Sequence, residues 1–481
     1  MEWVGESRVL GSTRRVQYAL VTASLFGIQF VWSVQQVYVN LELLRLGLAK
    51  SELSLIWTAS PLAGLLVQPV VGSLSDACTS AHGRRRPFIV WGALLTAAGM
   101  LVLAWAQSVA GVLGTYPWAV AVGAVLVVDI AVNTCQAASR ALVVDVFPGA
   151  QQKEAMATAS VMVAVGHLVA YGLGRLRWVK LGFDTRLQGV CVLFAGILLV
   201  CVAVSAAAVQ ELVLIRPLRA DSDVAGPVFA PKAALRKVWT NVVHLDEQLK
   251  GIFTVQLFAW YGWFTFLFYG ATFAAEVWQG ARTTPPDPEE MAMAGSFAMF
   301  VFAATATLFA IVPTHLEPEM LNTWIAGALV YASAMAVVRL VTTYAAVLML
   351  FGAVGFAWAV TQWVPFALTS QRIHELPPTA DPHAPGEASE TITVLNDHES
   401  QVDTTERGGV ILGIHNCALT IPQFVSTFGS YLIYRLLDAD PENPHSDGGR
   451  ATAVTLQAGA FTALLAAAYI HRLKGMMRPQ L

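Results

Sequence analysis

The sequence predicts an all-α membrane protein of twelve transmembrane helices in two groups of six, and three observations carry that expectation. Hydrophobic residues make up 56% of the 481-residue chain, while Asp, Glu, Lys and Arg together make up 13%. A soluble domain carries about 25% charged residues, so this chain could not cover a water-facing surface, whereas a bilayer would solvate it. Apolar stretches of about 20 residues, the length that crosses a bilayer, recur along the chain, and a polar gap falls halfway.

The first six stretches lie near 16–38, 53–73, 87–106, 117–139, 155–174 and 187–210. Residues 1–15 are a polar tail without the apolar core of a signal peptide, so 16–38 reads as a retained span. The gap at 211–250 holds Arg216, Arg219, Lys232, Arg236, Lys237 and Lys250 with several prolines. It reads as a linker between one bundle, 16–210, and a second, 251–471. That second set lies near 251–274, 294–313, 322–340, 345–369, 410–434 and 452–471, before a tail at 472–481. Residues 376–408, rich in Pro, Asp, Glu, Thr and His, have too little apolar content to fold alone and are expected to be a disordered loop. Most of the 29 basic residues fall inside if both termini are cytoplasmic, as the positive-inside rule asks. Loop 5–6, with Arg175, Arg177, Lys180 and Arg186, goes against it. The five cysteines show no paired spacing and read as small packing residues.

Ionisable side chains within a span cost several kcal/mol and point to function. Span 4 reads VLVVDIAVNTCQAASRALVVDVF, and its Asp129, Asn133, Gln136 and Arg140 are spaced by 4, 3 and 4 on one helical face. An aspartate near mid-membrane can take up a proton from one side and release it on the other, which is the chemistry of a proton-coupled carrier. A polar face bonded to neighbouring spans is the structural alternative.

Gln29, Gln35 and Gln36 of span 1 suit either a polyhydroxylated solute or contacts between helices. His167 lies among glycines in span 5 and is a candidate to line a cavity. Span 7 carries Trp260 and Trp263, and span 10 carries Trp358, Gln362, Trp363 and Pro365; aromatic faces of this kind pack against sugar rings or against one another. Glu276, after span 7, is expected at the outer mouth. Between spans 2 and 3, Gly72 and Asp76 precede Gly83, Arg84, Arg85 and Arg86. A glycine for close packing, a carboxylate and an arginine cluster suit a gate whose charges cap helix ends and pair across the bundles. No Walker A, HExxH or GxSxG motif sits in a loop, so no enzyme and no cofactor are expected, only a proton as coupling ion. The net charge of −3 gives no reason to expect a nucleic-acid partner.

The string LVQPVVGSLSDACTSAHGRRRPFIVWGALL resembles the loop 2–3 signature of the major facilitator superfamily. It is most similar to the glycoside-pentoside-hexuronide:cation symporter branch, which holds the sucrose and α-glucoside proton symporters of plants and fungi. DIAVNTCQAASRALVVD in span 4, WFTFLFYGATFAAE in span 7, WAVTQWVPFAL in span 10 and GIHNCALTIPQFVST in span 11 resemble the same branch. The resemblance implies two six-helix bundles related by a pseudo-two-fold axis, with alternating access around a central site. By the same resemblance Asp129 is the protonated aspartate, Arg140 its partner in coupling and sugar binding, and Asp145 the acid that closes the motif. Asn416 in the span 11 string joins the expected solute contacts. The chain departs from the branch at several positions. It has Gln35 for a glutamate, Asn40-Leu41 for Thr-Pro, His167 for an asparagine, Thr265 for a proline and Met293 for an arginine.

The reading that results is a proton-coupled symporter of sucrose or a related α-glucoside, monomeric, in the plasma membrane or else a vacuolar one. A carrier of another glycoside, polyol or secondary metabolite and a non-transporting sugar sensor are the alternatives.

Overall fold

The computed structural model describes residues 2–4, 8–76, 78–147, 149–174, 176, 182–211, 213–216, 245–282, 287–311, 319–375, 396–437 and 450–477. Helix α1 (Arg14–Arg45) begins where Thr13 caps it, its hydroxyl accepting from the Val16 amide at 3.4 Å. A π-helical turn over Gln35–Val39 interrupts it, as such turns often do at functional positions. Helix α2 runs as Lys50–Ile56 and then Ala59–Asp76. There follow α3 (Arg86–Ala104), α4 (Pro117–Val146), α5 (Gly149–Leu173) and α6 (Arg186–Ala208). The second half holds α7 (Glu247–Gly280), α8 (Pro288–Ile311), α9 (Met320–Val337), α10 (Tyr344–Glu375), α11 (Asn396–Leu437) and α12 (Arg450–Met477).

Each of the twelve expected stretches falls on one of these helices. Eleven spans in the described residues are long and apolar enough to cross a membrane, and α11 is not among them. The loop expected over 376–408 is corrected in part: the backbone is already helical from Asn396 and runs on into the apolar stretch. Residues 376–395 lie outside the described residues. On the outer surface, large apolar side chains such as Trp91, Leu95, Val200 and Phe461 are exposed, which only a hydrocarbon solvent makes favourable.

The packing repeats itself. In the first half α1 packs on α5 and α6, α3 on α4 and α6, and α2 on α4. In the second half α7 packs on α11 and α12, α9 on α10 and α12, and α8 on α10, the same pairings in the same order. The contacts between halves share the symmetry, with α5 against α8 and α11 against α2. Close approach inside a half depends on small residues. A Cβ on Gly92 of α3 would lie 2.9 Å from the Cys135 amide nitrogen of α4, so a side chain there must push the two helices apart.

The apolar core is not uniform along the bundle. One cluster runs unbroken from the first half through Trp263, Phe266, Phe302, Tyr331 and Phe351 of the second. The opposite end of the second half has a separate cluster around Ile252, Trp324, Leu368 and Ile470. Among the described residues the two halves thus share one core toward one end of the bundle, and the second half has a core of its own toward the other. At that other end Asp246 caps α7, accepting from the Gln248 and Leu249 amides at 3.0 and 3.3 Å. The Arg372 guanidinium of α10 lies on it at 2.9 and 3.0 Å and holds the carboxyl below the ordinary carboxylate range.

Two outcomes follow from this packing. Gly92→Leu overpacks the α3–α4 contact and is expected to cost about 1–3 kcal/mol, read as a lower melting temperature in detergent. Because Asp246 is favoured in its charged form, its contribution is complete above the ordinary carboxylate range and is lost as pH falls through its depressed value. Arg372→Gln should therefore lower the melting temperature at neutral pH and flatten its decline in acid.

Candidate functional site

The polar face of α4 is knitted to α1 and α2. Asp129 is 1% exposed, and its Oδ1 accepts from the Gln35 amide at 2.7 Å. Its Oδ2 has no partner among the described residues. One turn on, Asn133 donates to the Asp129 backbone carbonyl at 2.8 Å and accepts from Gln68 at 2.9 Å. Gln136 accepts from the Trp32 indole at 2.9 Å. Arg140, at the end of the same face, is exposed. The face thus grades from a buried acid to an exposed base, with two amides between them.

Gln35 lies in the π turn of α1, whose looser winding shifts the register of the side chains that follow. Sequence reading offered Gln35 for a solute or for contacts between helices; its contact is with Asp129 of α4. Gln68 and Trp32 were missed; both lie in strongly apolar surroundings, where a polar group that finds a partner on another helix leaves no periodic signal.

Other expected contacts divide. Gln36 accepts from the Tyr171 hydroxyl, and His167 stacks on the Tyr171 ring at 5.7 Å with its Nε2 unpartnered among the described residues. Trp260 is half-buried, meets Trp358 edge-on at 5.8 Å and also has an unpartnered indole nitrogen. Gln362 and Asn416 are exposed, and Trp363 is half-buried against the second-half cluster. Two expectations are corrected. Trp263 is enclosed by Tyr331 at 4.5 Å and Trp358 at 4.9 Å and belongs to the core. Gln29 is buried, with its amide donating to the Leu25 carbonyl of its own helix at 2.8 Å. Met293 is half-buried on α8.

At the packed end the halves are joined by polar groups, most of them buried. Lys50 at the start of α2 pairs with Glu276 of α7 at 3.0 Å, and both side chains are 2% exposed. Asn40 of α1 donates to the Phe268 carbonyl and, at 3.2 Å, to Thr272, while the Trp57 indole donates to Asn40 at 2.8 Å. The Trp57 ring lies flat on Phe268 at 4.6 Å, and Tyr269 donates to Ser54 at 2.8 Å. Arg186 holds the Gly174 and Leu176 carbonyls at 2.7 and 2.8 Å and lies 3.8 Å from Glu289 of the other half. Asn40, noted in the sequence only as a departure, thus bridges the two halves. Lys50 gave no signal because it falls between two apolar stretches, where a lysine is ordinary.

The loop 2–3 charges lie at the opposite end, on their own half. Arg84 and Arg85 reach Asp145 of α4 at 2.6 and 2.7 Å, and Arg85 also donates to Ser75. The Gly72 carbonyl accepts from Ser75 at 3.0 Å; the Asp76 side chain lies outside the described residues. Arg86 is half-buried at the start of α3. The described contacts of Arg84 and Arg85 with Asp145 lie within the first bundle. Glu211, placed in the linker by sequence reading, accepts from the amides of Arg84, Arg85 and Arg86 at 2.7, 2.8 and 2.9 Å. Gly83 stands beside it with φ +100°, and a Cβ there would lie 2.7 Å from the Glu211 carboxyl carbon. Among the described residues no group of three or more His, Cys, Asp or Glu side chains could hold a metal ion.

Comparison with known proteins places these features. Residues 20–387 match the sequence profile of the Major Facilitator Superfamily. A general alpha-glucoside permease of Schizosaccharomyces pombe is 35% identical over 59% of this chain, a match that spans 53%, about half, of that protein's length. A sucrose transport protein, SUT2, of Oryza sativa subsp. indica is 26% identical over 90% of this chain and 88% of that one. Among solved structures, a proton-dependent oligopeptide transporter shares the fold at TM-score 0.65 and 13% identity, covering 97% of this chain and 100% of that one. A D-xylose-proton symporter does so at 0.57 and 16%, covering 94% and 97%.

Removing one partner of a buried ion pair leaves the other charge uncompensated, at about 3–5 kcal/mol. Lys50→Met or Glu276→Gln alone should therefore lower the melting temperature of the purified protein by several degrees. The double variant should recover most of that loss; a double variant as unstable as the two losses added would mean the residues act separately.

Proposed function

The chain belongs to the Major Facilitator Superfamily, and on that premise we propose that it is a proton-coupled symporter of sucrose or a related α-glucoside, working by alternating access. It is a multi-pass membrane transporter, not an enzyme. The observation that carries the coupling is Asp129: a buried carboxyl held through one oxygen by Gln35, with the other oxygen free to carry a proton. Arg140 lies on the same face at the exposed end, three turns away, too far for direct contact. Solute bound between them can link the two, so that protonation of the acid and occupation of the site favour each other.

The sugar reading is supported by the chemistry of polar and aromatic groups in both halves. Gln136 offers an amide from the first half, and Gln362 and Asn416 stand exposed in the second. Trp260, with its unpartnered indole nitrogen, offers both a ring face for apolar sugar carbons and a donor for a hydroxyl. The names of the yeast permease and the rice transporter agree with this class of solute. On this reading loop 2–3 faces the cytoplasm, and the Lys50–Glu276 contact closes the outward end. Met293 on α8, a thioether where the branch carries an arginine, favours a second reading in which the solute is another glycoside or polyol.

Reconstituted into proteoliposomes with an inward-directed proton gradient, the protein should accumulate labelled sucrose or maltose. Asp129→Asn should bring gradient-driven accumulation down to the level of empty liposomes. Accumulation undiminished in that variant sinks the proton role of Asp129. Failure of both sugars to enter, with uptake of another glycoside from a competition panel, decides for the second reading.

A further inference from the structure

The N-terminal tail does not hang free of the fold. Strand β1 (Glu2–Val4) pairs antiparallel with β4 (Val213–Arg216), setting Trp3 against Leu214 and Val4 against Val213. Strand β2 (Arg8–Val9) pairs in the same sense with β3 (Val209–Gln210), and the Leu10 amide extends that ladder to the Ala208 carbonyl at 2.8 Å. The tail is secured at its inner end as well. The Gln17 amide of α1 reaches back to the Gly11 carbonyl at 3.3 Å. Between β3 and β4, with a ladder on each side, stands Glu211. Its carboxylate takes the Arg84, Arg85 and Arg86 amides at the N-terminus of α3, where unpaired N–H groups and the helix dipole both favour an anion.

We propose that the two ladders, residues 2–4 and 8–10 against 208–210 and 213–216, form a strap that holds Glu211 on loop 2–3 and thereby favours the state in which this end of the bundle is open. The step from strap to state runs through the arginines. Glu211 fixes the backbone of Arg84 and Arg85, and in that position their guanidinium groups are on Asp145 of their own half. Arginines fastened in this way are less free to turn toward the second half, which closure of this end would bring near. Arg140, Gln362 and Asn416 are exposed in this state, and the halves meet at Lys50 and Glu276 instead. Glu211 is thus a positioning residue, and the tail is what positions it. The inference rests on the alternating-access reading but not on any particular solute.

Hydrogen exchange of the full chain in lipid nanodiscs tests it without a transport assay. Deletion of residues 2–10 and Glu211→Gln, which keeps the shape but removes the charge, should each speed exchange of the Arg84–Arg86 amides on the order of tenfold. The two changes together should do no more than either alone. Both should also speed exchange at Leu46, Gly47 and Leu48, beside the Lys50 end, because a shift of state opens that end. Unchanged exchange at Arg84–Arg86 after the deletion overturns the strap. Faster exchange there with none at Leu46–Leu48 reduces Glu211 to a local helix cap and overturns the link to state, and additive effects of the two changes separate the tail from Glu211.

Discussion

The Lys50–Glu276 ion pair sets the terms for the rest of the structure. Taking a lysine and a carboxylate out of water costs several kcal/mol for each ion, repaid only when the two meet in good geometry. Here they meet where the two halves touch, a contact that Asn40, Trp57, Phe268 and Tyr269 also bridge. Separation restores hydration, but a half-opened mouth would leave both charges dry and apart. The pair therefore disfavours intermediate positions, as the proposed alternating access requires.

The same constraint orders the polar groups elsewhere. Within hydrocarbon a donor or acceptor must find its partner in the protein, and α4 meets this by sharing each polar turn with a neighbour. Asp129 goes to Gln35, Asn133 to Gln68 and Gln136 to Trp32. What is left over is informative. The groups left over include one oxygen of Asp129, the His167 Nε2 and the indole nitrogen of Trp260, unpartnered among the described residues, while Arg140, Gln362 and Asn416 are exposed. At the opposite end Arg84 and Arg85 pair with Asp145 within the first half and Arg372 with Asp246 within the second.

Much of the fold was legible because length and apolarity suffice to read a spanning helix, and the polar break after α6 separates two sets of them. The face from Asp129 to Arg140 was legible because 4, 3, 4 spacing is a property of one helix alone. Contacts between helices were not. Gln35, Gln68 and Trp32 acquire meaning only through α4, and Asn40 only through α7. Lys50 and Glu276 are far apart in sequence, and each is unremarkable near the end of an apolar stretch. Trp260 and Trp263 are neighbours on a single helix, and only the packing of Tyr331 and Trp358 sends one to the core and leaves the other half-buried. Glu211 read as the first residue of a linker because nothing local marks a carboxylate that caps a distant helix.

The central claim is that the two ends of the bundle open in turn about a dry ion pair. It is tested most directly by spin-label distance measurements across both ends of the same protein, in lipid, over a range of pH and with sugar added. Labels at the exposed positions Gly47 and Gly280 report the Lys50–Glu276 end, and His82 and Gln371 report the other. Alternating closure predicts two distance populations at each end, with every condition that lengthens one pair shortening the other. Distances that widen together, or a continuous spread without discrete populations at the Lys50–Glu276 end, would contradict it.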